Sequence, residues 1–263
     1  EDTGEMEWKM NYKVPVFFHN AKGYDSNFLI RTVDQFDKAP EVIAANTQKI
    51  IAFSAGCFQV KDSMGFMSAP LNKLAESLPK ERKTNLRKHP SIPADMEEGR
   101  AMELLCDKGK FPDEYVTPSR LSETQLPPRE AFDSTLYIRL SEEEYASEKA
   151  KWEDCLKRME RRAEEKEVAK RQKLIGTNEL QAAQRRWKHY EANYKVGRIS
   201  DEDYKKEQTK WDEFHCETLS DYVYLYCSQD TLLLADIFEA FRDQTQKHFD
   251  LDPAHFLTLP NCQ

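Results

Sequence analysis

Two short polar segments, far apart in the sequence, carry the side chains best suited to chemistry. The first follows the apolar run Val14–Phe18, where Asn20 and Asp25 stand before Phe28. A strand that ends in polar residues at the start of a helix places their side chains in a cleft, where ligands of α/β sheets commonly bind. The same residues also suit a plain turn and a helix cap, and this segment alone supports both interpretations equally.

The second segment lies near the C-terminus, where Tyr226 and Asp230 stand four residues apart in an apolar, helix-like stretch. That spacing is one helical turn, so both side chains can face the same cleft. The elements that must position these groups are a buried strand over 14–18, a helix that begins near Asp25, and the C-terminal helix.

These residues and their order resemble the sequence motifs of a known family. Asn20, Tyr24 and Asp25, followed much later by Tyr226 and Asp230, resemble the second and third exonuclease motifs of protein-primed family B DNA polymerases. The fuller similarity is to the polymerases of polinton (Maverick) elements, and it follows the order of that family. The similar segments are His19–Leu29, Phe53–Phe66, Leu71–Leu74, Lys108–Tyr115, Glu123–Phe132 and Ser200–Pro260.

The resemblance implies an incomplete ribonuclease-H-like (DnaQ-like) α/β core and a 3′–5′ exonuclease activity on single-stranded DNA, within a DNA-directed DNA polymerase. Such hydrolysis uses two divalent metals about 4 Å apart. The cofactor implied is Mg²⁺, with Asp25 and Asp230 as two of its carboxylate ligands. Tyr226 would orient the attacking water, and Lys108 would assist catalysis, although Lys110 lies two residues away.

Four further residues are implied to bind DNA. Asn20 and Tyr24 would hold the terminal nucleotide. Ser63 and Met64 match a Ser/Thr-Leu-x-x-hydrophobic motif, with methionine in place of leucine, that contacts the single-stranded 3′ end in the family. Met64 suits core packing equally well, because methionine fills irregular gaps.

A repeated helical pattern indicates an insertion into this core. Ser141, Tyr145 and Trp152 recur as Ser200, Tyr204 and Trp211, and each copy begins with a capping box. We interpret the repeat as a partial internal duplication. The expected domains are 1–140 and 214–263, the two parts of the core, and 141–213, a helical arm.

Within the arm, the sequence predicts a long solvated helix over 145–173, a break at Gly176–Asn178, and a return helix over 179–194. Outside the arm, residues 35–48 are expected to form a variable loop. The apolar residues of the connector Glu123–Phe132 are expected to pack on the sheet.

Two parts of the family pattern lie outside these 263 residues. The first exonuclease motif, Asp-x-Glu, is expected well before His19, and the polymerase palm after Leu259. With two of the four metal-binding carboxylates, this chain alone is expected to show little or no nuclease activity. The alternative is a domesticated, non-catalytic binding or structural protein derived from a polinton polymerase, with a protein partner on the helical arm.

The composition restricts the classes of binding partner and the cellular compartment that suit this chain. The net charge of −8 argues against wholesale wrapping by nucleic acid, which leaves local patches such as Lys80–His89. That patch suits an exposed flexible loop equally well. No apolar run approaches a membrane span, and no signal peptide is evident. The six cysteines are scattered and form no Cys-x-x-Cys pair, which favours free thiols in a reducing intracellular compartment, nuclear or cytoplasmic.

Overall fold

The computed structural model describes residues 13–21, 25–31, 40–46, 49–166 and 175–258. The strands and α-helices are β1 (Val14–Phe18), α1 (Asp25–Arg31), β2 (Glu41–Asn46), β3 (Lys49–Ala55), β4 (Phe58–Asp62), α2 (Leu71–Ser77), α3 (Glu98–Leu105), α4 (Glu142–Lys166), α5 (Ile175–Lys195), α6 (Asp201–Glu213) and α7 (Leu219–Phe249). The chain divides into two compact units: the first comprises Glu1–Lys108 and Cys227–Gln263, and the second comprises Gly109–Tyr226. The described part is therefore a mixed α/β protein.

The first unit contains a four-stranded mixed sheet, as far as the strands are described, in the order β1-β4-β3-β2. β1 runs parallel to β4, while β3 is antiparallel to both of its neighbours. The predicted hairpin of β3 and β4 is confirmed, and Gly56 opens its two-residue turn with a φ of 56°. The loop predicted over 35–48 was wrong for Glu41–Asn46, which pairs with β3 as β2.

Both faces of this sheet are covered by apolar side chains. On one face Phe53 and Val60 form a buried cluster, against which Leu29 and Ile30 of α1 pack. On the other face the ring of Phe17 lies 4.0 Å from that of Phe238 in α7. β1 was predicted to be buried, but it lies at one side of the sheet and is only half-buried or exposed along its length.

The basic segment Lys80–His89 is anchored to the first unit by buried residues. It forms two short 3-10 helices, and Leu86, the first residue of the second one, is fully buried. Lys83 donates from its buried Nζ to the carbonyl of Cys106 at 2.7 Å. The alternative of an exposed loop holds only in part, because Lys80, Arg82 and Lys88 are exposed while Lys83, Leu86 and His89 are buried.

The core of the second unit is built from aromatic and branched side chains. Phe132, Trp211, Leu219 and Tyr222 are buried together, and Leu126 packs against them. The connector Glu123–Phe132 was expected to pack on the sheet, and its described apolar residues pack on α6 and α7 within this unit. The local sequence of this Pro-rich connector predicts that its apolar side chains are packed, but it does not specify the surface on which they pack.

The helices α4 and α6 begin at the predicted caps. Ser141 and Glu144 exchange hydrogen bonds in a reciprocal capping box, with Ser141 N donating to Glu144 Oε2 at 2.9 Å and Glu144 N donating to Ser141 Oγ at 3.2 Å. Ser200 accepts from Asp203 N at 3.0 Å. The predicted break at Gly176–Asn178 was wrong, because these residues lie inside the first turn of α5.

Among the described residues, three lysines are buried, and each donates to an oxygen of its own unit. In the first unit, Lys61 Nζ donates to the Ala254 carbonyl at 2.6 Å, and Lys83 is bound as described above. In the second unit, Lys210 Nζ donates to Glu207 Oε1 at 3.1 Å. These contacts offset the high cost of taking an ammonium group out of water. Of the helices in the described residues, none is long and apolar enough to cross a membrane.

Candidate functional site at the ends of two parallel strands

The carboxyl ends of β1 and β4 lie side by side, because these strands are parallel and Phe18 is paired with Asp62. Polar residues follow both strands. His19 Nε2 lies 3.0 Å from the carbonyl oxygen of Ala69, and its Nδ1 lies 2.9 Å from Ser63 Oγ. Because a carbonyl can only accept, Nε2 carries a proton and donates to it. The imidazole is therefore held in one orientation.

Asp62 holds the two strand ends together. Its Oδ1 accepts from the backbone N of Asn20 at 2.9 Å and from that of Met64 at 3.0 Å. Asn20 adopts a left-handed φ of 69°, which asparagine tolerates better than most residues. Asp62 itself is buried. Its role was not predicted from the sequence, since nothing local to Asp62 indicates that β4 pairs with β1.

The environment of His19 disfavours its charged form. Burial lowers the pKa of His19 below its ordinary value, and the positive charge of Lys108 lowers it further. The hydrogen bond to Ala69 and the negative charge of Asp62 oppose these effects without cancelling them. The pKa of His19 is therefore lowered overall.

Lys108 joins this cluster to α7. Its Nζ lies 3.3 Å from Asp230 Oδ2, and its side chain is about one third exposed. Lys110, the alternative for the assisting lysine, lies instead 3.5 Å from Asp203 in the second unit. The structure therefore brings together Lys108 and Asp230, two of the residues expected to form the site, and adds His19 beside them.

The other expected residues take different positions. Tyr226 belongs to the second unit, where its ring stacks on Phe111 with centroids 4.4 Å apart. Ser63 is fully buried, and its hydroxyl donates to the Phe18 carbonyl at 2.9 Å. This burial does not fit a DNA-contacting role for Ser63. Met64 is half-buried. Tyr24 and the side chain of Asp25 lie outside the described residues.

Asp230 is the implied magnesium ligand whose side chain the structure describes, because the side chain of Asp25 lies outside the described residues. In the residues whose positions are described, no three His, Cys, Asp or Glu side chains lie close enough to share an ion. Asp230 supplies one carboxylate, and Lys108 already occupies one side of it. A metal pair needs several oxygen ligands. What these residues form is a cationic and polar cluster at the strand ends.

Comparisons with protein-family models, with curated proteins and with solved structures found no match. The resemblance to protein-primed polymerases therefore rests on the sequence motifs.

Proposed function

We propose that this chain is the exonuclease region of a polinton-type, protein-primed family B DNA polymerase, with an incomplete ribonuclease-H-like core. It holds the 3′ end of single-stranded DNA, and these residues alone hydrolyse it weakly or not at all. The observation that carries the proposal is the contact between Lys108 and Asp230. The resemblance assigns both residues to one site, and they come from distant parts of the sequence.

The cluster suits the binding of a terminal phosphate. The ammonium group of Lys108 keeps donors that Asp230 does not use, and its partial exposure leaves them accessible. The exposed Asn20 stands at the neighbouring strand end. The acidic net charge of the chain limits affinity, so binding should be modest and weaken as salt is added.

The pair Lys108 and Lys110 allows a matched test. A labelled single strand is titrated with the wild type, with Lys108→Ala and with Lys110→Ala, and binding is followed by fluorescence anisotropy. We expect Lys108→Ala to weaken binding by about fivefold or more, which corresponds to one lost charged hydrogen bond. Lys110→Ala should change it by less than about twofold, since its partner Asp203 is exposed. Equal effects of the two variants would contradict the proposal.

Hydrolysis is tested separately, by incubating a 5′-labelled strand with magnesium or manganese. No shortening is the expected result, because the described donors do not complete a metal pair. If the strand is shortened by the wild type and not by Asp230→Asn, this result would support the exonuclease assignment and contradict the expectation that this chain is inactive. The absence of both shortening and DNA binding would favour the second candidate.

The second candidate is a non-catalytic binding protein that uses the helical arm. Its specific support is the surface pocket between α4 and α5, which has a tryptophan from each helix in its wall. This candidate predicts that variants in the arm abolish binding of a partner while variants at Lys108 and Asp230 have no effect.

A further inference from the structure

The helices α4 and α5 enclose a pocket of about 320 Å³ in the second unit. The helices run antiparallel, since Tyr194 near the end of α5 contacts Glu142 at the start of α4. The lining includes Trp152 of α4 and Trp187 of α5, both half-buried. Its volume lies at the small end of the range of about 300–1,000 Å³ for small-molecule sites.

Three aromatic rings that contact in series support one side of this pocket. The ring of Tyr145 stacks on that of Tyr194 with centroids 3.8 Å apart, and lies 5.4 Å from that of Trp187. Tyr194 is fixed in turn, because its hydroxyl donates to Glu142 at 2.6 Å. The indole of Trp187 is thus supported before any ligand binds, which reduces the entropy lost on binding.

The charge of the lining is positive, in contrast to the acidic chain. Lys151, Arg158 and Arg186 line the pocket, and Glu148 is the acidic residue among the lining side chains. Glu148 contacts both Lys151, at 2.6 Å, and Arg186, at 3.1 Å, while Arg158 pairs with Asp154 at 3.2 Å. All three cations are more than half exposed. The pair of Arg158 and Asp154 is exposed on both sides and contributes little, so an anionic ligand can replace it at small cost, whereas Glu148 is only 12 % exposed and keeps its two partners.

We propose that this pocket binds a nucleotide unit, with the base against the indole rings and the phosphate on the arginines. Flat aromatic rings accept the face of any base, and guanidinium groups bind phosphate oxygens in pairs. The unit is either a free nucleotide or one residue of a single strand. This proposal does not rest on the exonuclease assignment, because its residues all belong to α4 and α5.

The two sources are distinguished by titrating dTMP and a labelled short oligothymidylate against a chain that carries Lys108→Ala. That background removes the contribution of the strand-end cluster. We expect Arg186→Ala to weaken binding by about fivefold or more, while Arg185→Ala, a neighbour outside the lining, changes it by less than about twofold. If dTMP displaces the labelled oligomer, and does so at a concentration similar to that of the oligomer counted in nucleotides, the free nucleotide is the ligand. If only the oligomer binds, a single strand is the ligand.

The contribution of the rings has its own control. Trp152→Ala should weaken binding by about fivefold or more, and Trp152→Phe should restore much of it, because phenylalanine keeps a flat face. Circular dichroism of each variant shows whether α4 and α5 remain helical. Inorganic polyphosphate that binds as tightly as the oligomer would overturn the proposal, since charge alone would then explain it. Binding of an acidic helical peptide without binding of either nucleotide probe would also overturn it and identify a protein-docking surface.

Discussion

Asn85 donates two hydrogen bonds to one oxygen of Asp236, from its backbone N at 2.8 Å and from its Nδ2 at 3.0 Å. The other oxygen accepts from Leu86 N at 3.0 Å. Asp236 is buried in α7, so this carboxylate ties the basic segment 80–89 to the helix.

Replacing this carboxylate should destabilise the first unit. In Asp236→Asn an amide group takes the place of one acceptor oxygen and faces N–H donors, so we expect a loss of about 2–4 kcal/mol in the free energy of unfolding. Urea denaturation measures it. Asp243→Asn is the matched control on the same helix: its exposed carboxylate contacts Arg82 at 2.7 Å, and its loss should be under about 1 kcal/mol. Similar losses in the two variants would show that the buried contacts contribute little.

Two glycines should respond to alanine in opposite directions. Gly197 has a φ of 81°, and an added Cβ would lie 2.8 Å from Ile138 N and 2.9 Å from Ser134 O. Gly197→Ala should therefore cost at least about 2 kcal/mol of unfolding free energy. Gly99, in α3, has open space around it, and alanine there should stabilise the chain by about 0.5 kcal/mol. Thermal melts of both variants test this, and a neutral Gly197→Ala would contradict the close packing at that turn.

The helices α4 and α5 should be removable if residues 196–199, which follow α5, are kept. Arg198 Nη2 donates to the Leu140 carbonyl at 2.9 Å, so the two ends of the hairpin are adjacent. Replacing 142–195 with a short Gly-Ser linker should preserve cooperative unfolding, because loop-closure entropy changes slowly with length.

A longer deletion, over 141–199, should cost more. It removes Ile199, which is buried in the core and whose backbone N donates to Asp133 Oδ1 at 2.8 Å. We expect a further loss of about 2–4 kcal/mol relative to the linker variant, as for other large truncations in a core. Denaturant melts compare the two, and an insoluble linker variant would show that α4 and α5 support the core.

Acidification should weaken the first unit through His19. Its pKa in the folded chain lies below the ordinary value of 6.5, so the unfolded chain binds the proton more readily. The stabilisation is complete above about pH 6.5 and is lost as the pH falls through the folded pKa. Denaturation midpoints between about pH 8 and 5 measure it. His19→Gln should flatten this dependence, and Lys108→Ala should reduce it, because the lysine charge helps to lower the pKa. An unchanged slope in His19→Gln would contradict this assignment.

Features set by neighbouring residues were predicted from the sequence. The strand Val14–Phe18, the hairpin of β3 and β4 and the two serine caps depend on apolar alternation, turn glycines and cap chemistry within a few residues. β2 was missed because its apolar residues do not alternate with polar ones, and Val42 and Ile43 remain substantially exposed.

Apart from the contact between Lys108 and Asp230, whose shared site the resemblance implied, features that depend on distant contacts were not predicted. The pairing of β1 with β4 places Asp62 beside Asn20, yet no local pattern indicates a parallel pair. The two copies of the repeat differ in the same way: Trp152 lines a surface pocket, whereas Trp211 is buried in a core. The same motif takes different environments because the surrounding chain, and not the repeat, supplies the packing surface.

Chemical modification of the buried lysines can report local unfolding of the chain. Acylating reagents need an accessible, deprotonated amine, so Lys61, Lys83 and Lys210 should stay unmodified while the many surface lysines react. Their modification under mild destabilisation would mark the moment at which each region opens. Because Lys61 and Lys83 belong to the first unit and Lys210 to the second, mass spectrometry of one sample could rank the two units by their resistance to unfolding.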